Sequence, residues 1–112
     1  MASRTSSPLL HPDEQDMNLF TVMTALGDPV RLGIVVALGA RSEVACNRFD
    51  LSVGKSTASR HFRVLREAGV IRQRDEGTRR TNSLRRPELD RRFPGLLDLV
   101  LREAAGDATA TR

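Results

Sequence analysis

The stretch KSTASRHFRVLREAGVI, Lys55 to Ile71, divides into two faces. At about 100° per residue, Ala58, His61, Phe62, Val64, Leu65 and Ala68 fall on one arc. Lys55, Ser56, Ser59, Arg60, Arg63 and Arg66 fall on the other. The spacing predicts a helix over 55–68, stopped by Gly69 just past the last periodic residue. At about 1.5 Å per residue the rod is roughly 21 Å long, enough to lie across a DNA groove. Gly54 precedes it, and Gly-Lys-Ser-Thr is the tail of a nucleotide-binding loop. The loop's first glycine would fall at position 49, which is Phe49, and no apolar strand comes before it. The nucleotide reading therefore loses its support. A Lys-Ser-Thr run that opens a helix suits DNA phosphates instead, because the free N–H groups and dipole there attract anions.

The flanking segments extend the pattern. Val70–Arg74 and Arg80–Leu84 bracket a turn around Gly77, which predicts a β-hairpin over 70–84 carrying Arg72, Arg74, Arg79 and Arg80. Upstream, Leu19, Val22, Met23 and Leu26 keep helical spacing up to Gly27. Asp28 then caps a second helix with Pro29 at its first position. Val44, Ala45 and Phe49 suggest a short helix within 42–51, interrupted by Asn47 and Arg48. Beyond Pro87, Leu89, Phe93, Leu96, Leu97, Val100, Leu101 and Ala104 form a wide apolar stripe that Pro94 should break in two. The ends, 1–15 and 106–112, are rich in small polar residues and read as disordered tails around one domain, 16–105.

Charge is segregated in the same way. The chain has 112 residues and a net charge of +4, but the segment 55–86 alone has ten basic residues against Glu67, Asp75 and Glu76. Such a cluster is the electrostatic footprint of a polyanion-binding surface. Arg85 and Arg86, directly after the hairpin, are candidates for further backbone contacts. A lone cysteine, Cys46, excludes an intrachain disulfide and suits a reducing compartment. Its bland reading is a small buried apolar residue, and the sharper one a redox sensor. No apolar run approaches a membrane span and no secretory leader is visible, so the expected location is cytoplasmic. With only His11, His61 and Cys46 as soft or imidazole ligands, neither a metal nor another cofactor is expected.

Short helices, a basic amphipathic helix and a basic hairpin predict a mainly α fold with a small β-hairpin, a dimeric winged helix-turn-helix. LGDPVRLGIVVAL at 26–38, the run from Lys55 to Ile71 and EGTRR at 76–80 resemble the ArsR/SmtB repressors. The resemblance implies a homodimer on double-stranded DNA, released by an inducer. It implies DNA contacts from Lys55, Ser56, Thr57, Ser59 and Arg60 and from a wing at Gly77, Arg79 and Arg80, and Arg63, on the same polar arc, is expected to join them. It also implies dimerisation through the terminal helices, here Leu19, Met23, Phe93, Leu97, Val100 and Leu101. The family's paired metal-sensing cysteines are missing, because SEVACNRF has Cys46 alone. Sequence-specific transcriptional regulation by repression is the expected function. The alternative is a winged-helix protein-interaction or antitoxin-like module. No catalytic constellation stands out, so an enzyme is not expected.

Overall fold

The computed structural model describes residues 9–110, with side chains through Ala105. The order is α1 (Leu19–Leu26), α2 (Pro29–Ala40), β1 (Val44–Ala45), α3 (Lys55–Ala68), β2 (Ile71–Glu76), β3 (Arg79–Leu84), α4 (Arg86–Arg92) and α5 (Leu96–Ala110). Short 3-10 turns occupy Glu14–Asp16 and Cys46–Arg48.

The helix ends follow from capping chemistry. Asn18 Oδ1 accepts the Thr21 N–H at 3.1 Å to start α1. Asp28 Oδ2 accepts from Val30 and Arg31 N–H at 2.9 and 3.1 Å, and Pro29 opens α2 without wasting a donor. Those bonds, chiefly the one from Arg31, hold the Asp28 carboxyl below its usual range. At the end of α3, Gly69 adopts φ 90°. Its N–H reaches Arg66 O, and the Val70 N–H reaches Leu65 O, the paired bonds of a left-handed stop. In the hairpin, Glu76 pairs with Arg79, leaving a two-residue loop. Gly77 has φ 64° while Thr78 stays at negative φ, as a type II′ turn requires.

The three strands form one antiparallel sheet in the order β1-β3-β2. Val22, Ile34, Val35, Leu65, Val70 and Ile71 make a solvent-free core under it, and Phe62 meets Phe49 edge to face at 5.3 Å. α5 backs onto α2, where Leu101 lies against Gly39. As Pro94 predicts, the C-terminal stripe breaks into two helices, with Gly95 at φ 84° between them. Among the described residues no single helix is long and apolar enough to cross a membrane.

Three expectations change. The region 42–51 is not a helix but a two-residue strand and a 3-10 turn. Val44 and Ala45 are buried and pair with Asn82 and Thr81, so sheet pairing overrides local helical preference. The helix α5 is drawn through Ala110, past Gly106, where a loose end was expected. Of the expected N-terminal tail, residues 1–8 lie outside the described residues, while 9–15 form a strap held by arginines and by the sheet edge. Arg66 Nε donates to Leu10 O (3.3 Å), Arg85 Nη1 to Pro12 O (2.7 Å) and Arg91 Nη2 to Glu14 Oε1 (2.8 Å). Arg92 Nη2 then donates to the carbonyl of buried Met17 at 2.6 Å. Composition cannot anticipate this, because the partners are 56 to 78 residues away.

His11 is the strap's titratable link. Its Nε2 accepts the outward N–H of Gln73 on edge strand β2 at 3.0 Å, a bond that requires an unprotonated nitrogen. Burial, followed by Arg72, Arg85 and Arg66, lowers its pKa. Because the folded pKa is depressed, the unfolded chain binds the extra proton first. The stabilisation is therefore complete above about pH 6.5 and is lost as pH falls through the folded value. Chemical denaturation from pH 7.5 to 5 should show stability falling with acid in the wild type and a shallower fall in His11→Gln. Identical slopes would remove His11 from this role.

Candidate nucleic-acid interface

Helix α3 presents its polar arc outward. Lys55, Ser56, Thr57, Ser59, Arg60 and Arg63 are all exposed, while Phe62, Leu65 and Ala68 are buried beneath them. No side chain caps its N-terminus at Gly54, and no acidic residue lies in the first turn. The first N–H groups and the positive end of the dipole therefore remain available to an anion. Arg31 sets the pitch of α3 from α2. Its Nε donates to Ala25 O (2.7 Å), its Nη2 to Thr24 O (3.3 Å), and its Nη1 to His61 Nδ1 (3.0 Å). An arginine can only donate, so His61 carries its neutral-form proton on Nε2. His61 is half-buried, as its place on the apolar arc predicts.

The wing differs from the helix in the state of its charges. Gly77, Arg79 and Arg80 are exposed. Arg80 Nε binds Asp75 Oδ1 at 2.7 Å, Arg79 lies 4.0 Å from Glu76, and Arg74 binds both Glu76 (2.7 Å) and Glu43 (2.5 Å). The bond from Arg80 holds the Asp75 carboxyl below its usual range. Lys55, Arg60 and Arg63, by contrast, have no carboxylate partner among the described residues. Exposed ion pairs are worth about 0–1 kcal/mol, so a phosphate can replace a wing carboxylate at little cost. Arg85 is not free for backbone contacts, because it is buried against Pro12 O and Glu88. Arg86 pairs with Asp90 and Asp98 at the surface, in the same state as the wing arginines.

Arg66 also leaves the expected phosphate-facing set. Its Nη1 donates to Gln73 Oε1 at 2.7 Å; Gln73 Nε2 donates to Asn82 Oδ1 at 2.8 Å; Asn82 Nδ2 donates to Val44 O at 3.0 Å. Cys46 Sγ lies 3.2 Å from Asn82 Nδ2 and 3.7 Å from Gln73 Nε2. This buried polar chain ties α3 to all three strands and fixes the angle between helix and wing. The inward alternation Ile71, Gln73 placed opposite Leu84, Asn82 was its sequence signal. Cys46 is half-buried within this polar chain. No group of three or more His, Cys, Asp and Glu that could hold a metal is found among the described residues.

The expected dimer set separates into two groups. Leu97 is 2% exposed and belongs to the single-chain core. Phe93, Val100 and Leu101 are partly buried and pack against that core. Leu19 and Met23 are exposed, and so are Phe20, at 73%, and Leu99, which the sequence reading missed. Leu19 and Leu99 line one groove of about 700 Å³ between α1 and the α4–α5 break.

This geometry is that of a winged helix-turn-helix protein. A helix-turn-helix domain family matches residues 26–74. The HTH-type transcriptional regulator YceK of Bacillus subtilis (strain 168) is 34% identical over 82 residues, spanning 70% of this chain and 82% of YceK. The fold matches the crystal structure of an ArsR family transcriptional regulator, with a TM-score of 0.62 at 19% identity, covering 72% of this chain and 90% of that one. It also matches the transcriptional repressor BigR from Xylella fastidiosa, with a TM-score of 0.55 at 24% identity and coverage of 67% and 85%. The chain belongs to the HTH-type transcriptional regulators, and it shares its winged fold with these two solved structures.

Removing Asn82, which is fully buried, should strand Val44 O and Gln73 Nε2. Asn82→Ala is expected to cost about 1–3 kcal/mol, measured by urea unfolding with a two-state fit. A change near zero would show that the polar chain does not hold the wing.

Proposed function

We propose that the protein is a cytoplasmic repressor that binds operator DNA as a homodimer, acting by occupancy and not by catalysis. Helix α3 enters the major groove, and the wing follows the flanking backbone. The observation that carries this reading is the set of cations Lys55, Arg60 and Arg63, without a carboxylate partner among the described residues, beside the hydroxyls of Ser56, Thr57 and Ser59 on one exposed helical face. Arginine matches guanine edges and phosphate oxygens in two-pronged fashion, and small hydroxyl residues let the backbone approach closely. BigR, described as a repressor, supports the sign of regulation. Pairing of two chains is supported by the exposed Leu19, Phe20, Met23 and Leu99 on the terminal helices. A two-fold pair would set two α3 helices in successive major grooves on one face of the duplex.

Helix and wing should fail differently. Arg60→Ala should lose about 1–3 kcal/mol on the operator and less on scrambled duplex, as for a base contact. Arg79→Ala should weaken both duplexes alike and flatten the salt dependence by about one unit, as for a phosphate contact. Fluorescence anisotropy over a salt series reads both, after the operator has been selected from genomic fragments. An unchanged operator affinity in Arg60→Ala would remove α3 as the reader and favour a protein-interaction module.

The pairing has its own test. Phe20→Asp and Leu99→Asp change side chains exposed in the single chain and should give folded monomers by sedimentation with helical circular dichroism intact. Leu97→Asp instead buries an unpaired charge in the core and should unfold the chain. Wild type that sediments as a monomer at micromolar concentration while binding operator tightly would refute the dimer.

A further inference from the structure

A cleft of about 670 Å³ opens between the outward face of α3 and the sheet at the base of the wing. Its volume is that of a small-molecule site. Two kinds of surface line it. Leu9, Ala58 and Phe62 supply apolar wall, and Lys55, Arg60, Arg63, Arg66 and Arg80 supply cationic rim. No aspartate or glutamate is among its lining residues, although Asp75 and Glu76 lie on the adjoining strand. Among the described residues Arg80 is the one of these five cations paired with a carboxylate, Asp75, so the cleft keeps a positive potential.

We propose that this cleft binds a small organic anion, a carboxylate, sulfonate or phosphate ester on an apolar aryl or alkyl body, and that its occupancy excludes DNA. The two surfaces together select the class. An inorganic anion would pair with the rim but leave the wall of Leu9, Ala58 and Phe62 in water. A neutral hydrocarbon would cover the wall but strip water from guanidinium groups without pairing them. A ligand with both parts satisfies both.

Exclusion follows from shared residues. Lys55, Ser56, Ser59 and Arg60 line the cleft and also form the first two turns of α3 that the DNA reading assigns to the duplex. One side chain cannot serve a ligand anion and a DNA phosphate together, so each lowers the other's apparent affinity. At a ligand concentration ten times its dissociation constant, DNA affinity falls roughly 11-fold. This inference rests on the reading of α3 as the DNA helix, and it locates the inducer at that same surface.

Cys46 provides a built-in reporter, because it is the chain's single thiol and lines the cleft. The test uses the full chain and three probes: 8-anilinonaphthalene-1-sulfonate, the neutral N-phenyl-1-naphthylamine of the same ring system, and inorganic sulfate. Two quantities are measured, the rate of Cys46 alkylation by iodoacetamide without DNA and the affinity for an operator duplex. The sulfonate should slow alkylation saturably at one molecule per chain and weaken duplex binding over the same concentration range. The neutral amine and sulfate should be at least tenfold less effective. Leu9→Trp, which fills the cleft from the strap, should abolish protection by the sulfonate while the chain still binds duplex. Unchanged alkylation with the sulfonate overturns the proposal. So does equal protection by the neutral amine, which would mark a mere apolar surface, or by sulfate, which would mark a phosphate contact alone. A ligand-free wild type that binds no duplex overturns the DNA reading and the competition with it, and the alkylation result then decides separately whether the cleft is a ligand site.

Discussion

The relation between helix and wing depends on the turn at Gly69. There the chain leaves α3 and enters β2 within two residues, with φ at 90°. A Cβ at this position would lie 2.8 Å from Met17 Cε, so the residue is constrained both by its own backbone and by the side chain packed on it. Met17 is in turn fixed by Arg92 at its carbonyl and by the strap that leads into it. The turn thus couples the end of α3 and the start of the wing to the entry of α1, which the sequence places about 50 residues earlier. The polar chain from Arg66 through Gln73 to Asn82 acts one step further along, as a cross-brace between the two arms.

The brace also explains why charge counting overstates the exposed positive surface. The ten basic residues between 55 and 86 do three different jobs. Arg66 and Arg85 are structural donors to buried or strap carbonyls and amides, and they replace secondary structure where the strap has none. Arg72, Arg74, Arg79, Arg80 and Arg86 sit opposite carboxylates. Lys55, Arg60 and Arg63 have no carboxylate partner among the described residues, and all three are on α3. Interaction with a polyanion scales with charge that is both exposed and uncompensated, so the helix is the dominant positive surface and the wing an adjustable one.

What could be read from the sequence divides along the same physical line. α3, its glycine stop, the hairpin, the Asp28-Pro29 start of α2 and the break at Pro94 are local effects, set by periodicity, capping and ring geometry, and each was legible. So was the exposed arc from Lys55 to Arg63. The strap, the strand at Val44–Ala45, the burial of Arg85 and the tethering of Arg66 to Leu10 were not, because each depends on a partner far away in the chain. Leu97 shows the limit most directly. It lies in the apolar stripe that was read as a dimer seam, yet it is 2% exposed and belongs to the core of the single chain, while Leu99, about 200° away around α5, is exposed. Periodicity finds the stripe, but only the packing of α5 decides whether it faces its own chain or a partner.

That division bears on how so small a domain is stabilised. Leu19, Phe20, Met23 and Leu99 are left exposed on the single chain, although burying such side chains is worth about 1.5–3 kcal/mol apiece from full exposure. A two-fold interface uses the same patch twice, so eight partly exposed side chains would contribute on the order of 10 kcal/mol. The loss of rotational and translational freedom on association costs roughly 4–15 kcal/mol. The two are comparable, which places such a pair near balance and makes its strength depend on the remaining contacts. The largest of the four is Phe20, whose ring is the most exposed and therefore has the most to gain. An aromatic ring left in water at the start of α1, next in sequence to Leu19, which shares a groove with Leu99 of α5, is difficult to rationalise for a solitary chain and simple to rationalise for two.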